Sequence, residues 1–240
     1  MPLYLLGISR APDVATVAER VTVGQIPVRW VLVDRLAAAL VDASQGPPEP
    51  LQYVAALDAI HRRMCVLPMR FGTVLRDEAE IHPLMEGAQR HLLQRLDRLD
   101  GTCEMGLRVA LPECPAQHAK PSPGAPPSVA YLHQRRAHYQ RRDSRGEQAR
   151  LTVECLVRQL EGAHCDWRWL TPSPPGLVRL AFLVLRERVG LFRTRLEASG
   201  RERPEQRRTL LGPWPPYSFV SLLPERRHMD IRRSQPVEPM

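Results

Sequence analysis

Apolar and polar residues recur along the chain with periods that predict the type of each element. Residues 104–111 alternate strictly, which predicts a strand with one face buried and with Glu104 on the face turned to water. Residues 177–185 form a continuous apolar run of the length of a buried strand. Shorter runs at 3–8, 21–26, 28–33 and 166–170 predict further strands.

Helical spacing of apolar residues predicts the helices. The clearest is at 78–99, and another starts at Leu51. A helix from Ser128 continues to residue 160, with Gly146 as a point where it can break. A helix follows at 186–199, and shorter helices are predicted at 12–19 and 34–41.

The order of these elements indicates an α+β protein with two domains. Residues 1–111 predict a ferredoxin-like sandwich of helices on one antiparallel sheet. Residues 112–127 contain six prolines among sixteen residues and predict a linker. A second small α+β domain is expected at 128–223, and residues 224–240 predict a mobile, arginine-rich tail.

Two stretches have an unusual composition. Residues 212–219 contain three prolines and three aromatics, which predicts an extended segment near polyproline II rather than a helix or an interior strand. Residues 66–73 form an apolar run interrupted by Pro68 and ended by Gly72 and Thr73. We expect the first stretch to fold back over the sheet near the second.

Charge and cysteine content narrow the function classes. The net charge is +8, and every basic residue except Lys120 is arginine. Arginine suits carboxylate and phosphate partners, although a general bias toward arginine explains the same composition. Five cysteines without a Cys-x-x-Cys pair predict neither a disulfide framework nor a zinc finger, and indicate a reducing, cytoplasmic setting. The sequence shows no leader and no run long enough to cross a membrane.

Candidate chemistry is sparse. His61 with Cys65, and His164 with Cys165, are the nearest approach to a thiol site, but neither pair comes with an orienting third group. A structural role for these four residues is therefore favoured over a catalytic one. No phosphate-binding loop is present, and no catalytic, cofactor or metal residues are assigned. A ferredoxin-like sheet with arginines and aromatics leaves single-stranded RNA binding as an alternative, and a thiol enzyme using Cys65 or Cys165 as another.

The two unusual stretches carry a family resemblance. Val66-Leu67-Pro68-Met69-Arg70-Phe71-Gly72-Thr73 and Gly212-Pro213-Trp214-Pro215-Pro216-Tyr217-Ser218-Phe219, read with Tyr4-Leu5-Leu6-Gly7-Ile8, resemble the gas vesicle protein F and L family. The match runs in order from the first strand to Phe219. Leu6, the high arginine content and the tail depart from the family pattern.

The resemblance implies a non-enzymatic assembly factor or minor structural protein of gas vesicles, without a cofactor. Members of the family are thought to bind the small, hydrophobic major shell protein before it enters the vesicle wall. The implied partners are this shell protein and other gas vesicle accessory proteins, the implied location is the gas vesicle in the cytoplasm, and nucleic acid and membrane partners are not expected.

Five residues of the two stretches are candidates for partner binding or for a domain interface. A structural role is favoured for the aromatics of the second stretch, and Arg70 is expected to satisfy buried carbonyls or an acid. The candidates are Arg70, Phe71, Trp214, Tyr217 and Phe219.

Overall fold

A computed structural model describes residues 2–11, 13, 22–23, 26–42, 46, 48–112, 127–174, 176–204 and 206–220. For residues 22–23, 127–134, 136–138 and 140–142 it describes the backbone alone. The helix predicted at 12–19, most of the linker at 112–127 and the tail at 224–240 lie outside the described residues.

The described chain forms two compact units. The first contains the residues up to Glu104 together with those from Pro213 onward, and the second is Met105–Gly212. The domain boundaries predicted at residues 111 and 128 stay predictions.

Among its described residues, the first unit contains a larger antiparallel sheet, a separate two-stranded pair and two long helices. The larger sheet has the order β4 (Arg29–Val33), β5 (Leu36–Asp42), β1 (Leu3–Arg10) and β6 (Leu67–Pro68), with β7 (Val74–Leu75) also paired to β1. This is the strand order that a ferredoxin-like sandwich requires. In chain order the elements are β1 Leu3–Arg10, β2 Thr22–Val23, β3 Ile26–Pro27, β4 Arg29–Val33, β5 Leu36–Asp42, α1 Pro50–Arg63, β6 Leu67–Pro68, β7 Val74–Leu75, a 3₁₀ turn Glu78–Glu80 and α2 Ile81–Leu99.

The elements of the second unit are β8 Thr102–Ala110, α3 Pro127–Gln159, β9 Asp166–Trp169, β10 Leu177–Leu185, a 3₁₀ turn Arg186–Arg188, α4 Val189–Arg201 and β11 Arg208–Trp214. Its four-stranded sheet has the order β11-β8-β10-β9. The 3₁₀ turn Tyr217–Phe219 that follows β11 belongs to the first unit. The first residues of β8 and the last two of β11 belong to the first unit. The α+β class predicted from the sequence is confirmed.

The prediction of a helix at 34–41 is wrong, because these residues form the second strand of a hairpin. Val33 pairs with Leu36 across a two-residue turn, and Asp34 takes the left-handed conformation with φ 50°. Leu36 to Val41 are at most 5% exposed, so β5 is buried on both faces. Burial of that apolar run in a sheet outweighs the helix propensity of its three alanines.

The core of the first unit lies between the sheet and α1. Tyr53, Leu57 and Ile60 of α1 pack on Leu6 and Ala39 of the central strands. β1 bulges here, since its pairing with β5 shifts by one residue between Leu5 and Gly7.

Gly7 allows the closest approach in this core. A Cβ at this position would lie 2.6 Å from Cγ2 of Val66 and 2.9 Å from the carbonyl oxygen of Leu67. The second contact is with backbone, which cannot turn aside as a flexible side chain does. The sheet and the chain entering β6 therefore meet at a distance that only glycine permits.

The core of the second unit is aromatic at its centre. The Phe182 ring lies 5.2 Å, centroid to centroid, from the His164 and Phe192 rings. Val153 and Leu156 from the C-terminal half of α3 are also buried. α3 is continuous through Gly146, where the sequence allowed a break.

Replacing Gly7 with alanine should destabilise the protein by about 1–3 kcal/mol, because the added methyl group overpacks a site bounded by backbone. Denaturant unfolding measures the loss. Gly87→Ala is the matched control, since Gly87 lies in α2 with nothing near its Cβ position and alanine favours helix there. Equal stability of Gly7→Ala and the wild type would contradict the close approach.

Acid should destabilise the protein through His164. Burial lowers the pKa of His164, against the opposing effect of the Val157 backbone and of the charges on Asp166 and Glu161. The unfolded chain therefore takes up protons at His164 before the folded chain does, and the free energy of unfolding falls as pH drops through the unfolded value of about 6.5.

The melting temperature, measured from about pH 7.5 to pH 5.5, checks this expectation. It should fall less in His164→Gln than in the wild type. His82→Gln, at an exposed position of α2, should behave as the wild type does. The same pH dependence in His164→Gln and the wild type would contradict the assignment.

Candidate functional site

An inserted turn separates β6 from β7. Both strands pair with β1, with Gly7 opposite Pro68 and Tyr4 opposite Val74. Three residue steps along β1 therefore correspond to six steps along its partner, so the partner contains three extra residues. Because the N–H of Met69 donates to Leu6 and the N–H of Leu5 donates to Thr73, the extra residues are 70–72. Together with Thr73 they form an outward excursion of the strand, which we call the Phe71 turn (residues 70–73).

The Phe71 turn is closed by its own hydrogen bonds. The N–H of Thr73 donates to the carbonyl oxygen of Arg70 at 3.1 Å, and the Thr73 hydroxyl donates to the same oxygen at 2.7 Å. Gly72 has φ 83°, as the third position of a type II turn requires. The glycine that ended the apolar run in the sequence therefore has a conformational role.

Tyr53 fixes the Phe71 turn to the core. Its hydroxyl donates to the carbonyl oxygen of Met69 at 2.9 Å and lies 3.3 Å from that of Leu6. Its ring meets the Phe71 ring edge to face, with centroids 5.1 Å apart and planes at 89°. Burial, and then Tyr217, raise the pKa of Tyr53, so the hydroxyl keeps its proton and remains a donor.

The outer side of the turn is in solvent. Phe71 is 46% exposed and Val74, the first residue of β7, is 48% exposed. Arg70 is exposed as well, although the sequence led us to expect its side chain to satisfy buried carbonyls or an acid. The turn therefore presents an aromatic ring, an aliphatic side chain and a guanidinium group to solvent.

Residues 212–219 are less uniform than the extended segment predicted from the sequence. Gly212 to Trp214 complete β11, whereas Tyr217–Phe219 form a 3₁₀ turn. The N–H of Phe219 donates to the carbonyl oxygen of Pro216 at 3.0 Å. Prolines interrupt the strand, and the chain then turns to bury its last aromatics.

The aromatics of this segment differ in burial. Phe219 is 1% exposed, and Tyr217 packs against the cluster of α1 and the sheet. Trp214 is 40% exposed. Tyr217 and Phe219 therefore support the fold, and Trp214 adds a second exposed aromatic to the first unit.

Glu104 holds the segment in place. It is only 6% exposed and accepts two hydrogen bonds from Ser218, at 2.7 Å from the N–H and 2.8 Å from the hydroxyl. The alternation in the sequence predicted that Glu104 lies on the solvent-exposed face of β8, and the structure buries it instead. No local signal in the sequence identified Ser218 as its partner. Burial, followed by the charges of Asp58 and Glu104, raises the pKa of Tyr217 to about 12.

The cysteines named in the sequence occupy different environments. Cys65 is 9% exposed, and its thiol donates to the carbonyl oxygen of Leu96 at 3.5 Å. Cys165 is exposed, whereas both ring nitrogens of its neighbour His164 are buried. A buried thiol bound to backbone is typical of a structural cysteine.

Neither a metal site nor a membrane-spanning helix is found among the described residues. No group of three or more His, Cys, Asp or Glu side chains among them is placed to hold a metal ion. None of the described helices is long and apolar enough to span a bilayer.

The sheet of the first unit offers little surface for stacked bases. RNA-binding sheets of this type stack bases on aromatics of an open face. Here β5 is buried on both faces, and all of β1 except Tyr4 and Arg10 is buried. Among the described residues of the first unit, the exposed aromatics lie instead in the Phe71 turn and at Trp214.

Known proteins match the chain in sequence over most of its length. The family model described as gas vesicle synthesis protein GvpL/GvpF matches residues 2–221. Gas vesicle protein L of Streptomyces sp. (strain CB03234) is 31% identical over an alignment of 188 residues, which covers 72% of this chain and 69% of that protein. Gas vesicle protein F of the same strain is 26% identical over 92% of this chain and 100% of its own length.

Solved structures match the fold. The crystal structure of GvpF from Anabaena sp. PCC7120 has a TM-score of 0.74 at 18% identity and covers 95% of this chain and 99% of its own. GvpF from Microcystis aeruginosa has a TM-score of 0.69 at 15% identity, over 92% and 99%. Because the family model covers nearly the whole chain, this protein belongs to the GvpL/GvpF family of gas vesicle synthesis proteins.

Proposed function

We propose that the protein is a non-enzymatic assembly factor and minor structural protein of gas vesicles, which binds the major shell protein during vesicle formation. Membership of a family of gas vesicle synthesis proteins supports the gas vesicle role. Other gas vesicle accessory proteins are further proposed partners, and the proposed location is the gas vesicle in the cytoplasm.

The physical requirement for such a factor comes from the shell protein. A subunit with one apolar face aggregates in water unless that face is covered until it enters the wall. An assembly factor therefore needs an apolar contact that is exposed before the partner arrives.

The single observation that carries the proposal is the geometry of Phe71. Its ring is 46% exposed, yet it is held edge-on by Tyr53 and by a turn closed through Thr73. A fixed aromatic loses little conformational freedom on binding, which is the property of an interface hot spot. Val74 and Arg70 extend this contact with an aliphatic and a cationic group.

Trp214 is the second proposed contact residue. It belongs to the first unit and is 40% exposed. Tyr217 and Phe219 then serve as its support rather than as contacts, since one packs on the core and the other is fully buried.

The immobilised wild-type protein should retain the purified major shell protein at physiological salt. The Phe71→Ser variant should retain it about tenfold or more weakly, because it loses a hot-spot aromatic. Leu191→Ser is the matched control, because Leu191 is 43% exposed on α4 of the second unit. The melting temperature of each variant shows whether it is folded, and Val74→Ser gives a second test at the same surface.

Failure of the wild type to retain shell protein would contradict the proposed function. Steeply salt-dependent binding of RNA in its place would favour the nucleic-acid alternative. A thiol enzyme would instead require loss of function on Cys65→Ser or Cys165→Ser.

Truncation of the C-terminal aromatics should separate support from contact. Phe219→Ala should destabilise the protein by about 3–5 kcal/mol, because it empties a fully buried site. Trp214→Ala should cost clearly less stability in denaturant unfolding, yet lower shell-protein retention. Equal losses of stability in the two variants would make Trp214 part of the core instead.

A further inference from the structure

The helix α3 extends beyond the core of its own unit. Thr152, Val153 and Leu156, in its C-terminal half, are buried. The five consecutive residues 143–147 are all exposed, and five residues cover more than a full turn of 3.6. At this level the described side chains are exposed all around the helix, and the helix continues for another sixteen residues to its start at Pro127.

The N-terminal part of α3, residues 127–147, is strongly basic, and we call it the basic arm. It contains five arginines, at positions 135, 136, 141, 142 and 145, against the two acids Asp143 and Glu147. Arg150 from the packed half already pairs with Glu147 at 2.7 Å. The arm therefore carries a net positive charge that its own acids do not balance.

The charges are arranged by face. Asp143 and Glu147, one turn apart, line an open groove of about 810 Å³ that also contains Arg203 and Gln206. At 100° per residue, positions 135, 142 and 145 fall within an arc of about 80° that lies about 80–160° around the helix from Asp143 and Glu147, whereas position 136 lies between the two acids. Tyr139 lies beside them, with the guanidinium of Arg135 5.7 Å from its ring centroid.

This arrangement is costly for an exposed helical segment, and the described side chains from Arg135 to Glu147 are all exposed. A helix of about 20 residues without a packed face is marginal in water. Like charges at i, i+3 and i, i+4, as at 142 with 145 and 141 with 145, weaken it further. A partner that supplies carboxylates to the arginine side would remove both costs.

We propose that the basic arm is a docking surface for an acidic helical segment of another protein. Positions 135, 142 and 145 follow the spacing of helical turns, so carboxylates on a second helix can match them turn for turn. One face of Tyr139 is already covered by Arg135, which favours carboxylate pairing over base stacking. This inference does not rest on the proposed binding of shell protein.

The test uses the full-length protein and a fluorescent, alanine-based helical peptide of about 20 residues with a stripe of glutamates. Binding is measured by anisotropy, beside a glutamine version of the peptide and single-stranded poly(U). The wild type should bind the glutamate peptide saturably and the glutamine peptide at least about tenfold more weakly.

The arm variant Arg135→Gln/Arg142→Gln/Arg145→Gln should lose about tenfold or more of this affinity. The matched control is Arg158→Gln/Arg193→Gln/Arg201→Gln, which removes the same charge from exposed positions of the same unit and should keep the wild-type affinity. Circular dichroism shows whether both variants are folded. Bound peptide should also slow tryptic cleavage after Arg135 and Arg145 in the wild type.

Three outcomes would overturn the inference. They are the absence of saturable binding to the glutamate peptide, an equal loss of affinity in the arm and control variants, and tighter binding of poly(U) than of the peptide. The last result would make the arm a nucleic-acid surface.

Discussion

The approach of β6 to β1 at Gly7 is the constraint on which the first unit depends. Because position 7 has no side chain, the backbone at Leu67 comes close to β1 and the bulge at Leu6 is buried beneath α1. Tyr53 then reaches the carbonyl oxygen of Met69 from α1. The extra residues of the next turn have no place in the sheet and are directed outward, so the exposure of Phe71 follows from the packing behind it.

A second contact, between Glu104 and Ser218, holds the C-terminal segment on the first unit. Glu104, at the start of β8, accepts two hydrogen bonds from Ser218, and the charge of a buried carboxylate requires such partners. Phe219 is buried beside this contact in the chain. Hydrogen bonds between residues more than a hundred positions apart thereby fix the C-terminal segment. Trp214 remains partly exposed on this fixed segment.

The sequence could predict elements whose signal is local and could not predict those decided by distant partners. Periodicity located α1, α2 and β10, because apolar spacing depends on one face of one element. The strand at 36–42 was missed because its alanines favour helix until neighbouring strands bury both faces. Alternation predicted that Glu104 is exposed to solvent, because its partner Ser218 is distant in the sequence and leaves no local signal. The exposure of Trp214 depends on tertiary packing, which composition does not reveal.

The two proposed surfaces obey different physics and so remain separable. Contact at Phe71 and Trp214 gains mainly from removal of apolar surface from water, which salt does not weaken. Contact at the basic arm is between exposed charges, which ions screen within about 10 Å at moderate ionic strength. Raising the salt concentration therefore weakens binding at the basic arm and leaves binding at the aromatic surface unchanged. A partner that binds both surfaces would show a salt-sensitive part and a salt-insensitive part in its affinity, and removing either surface would leave the signature of the other.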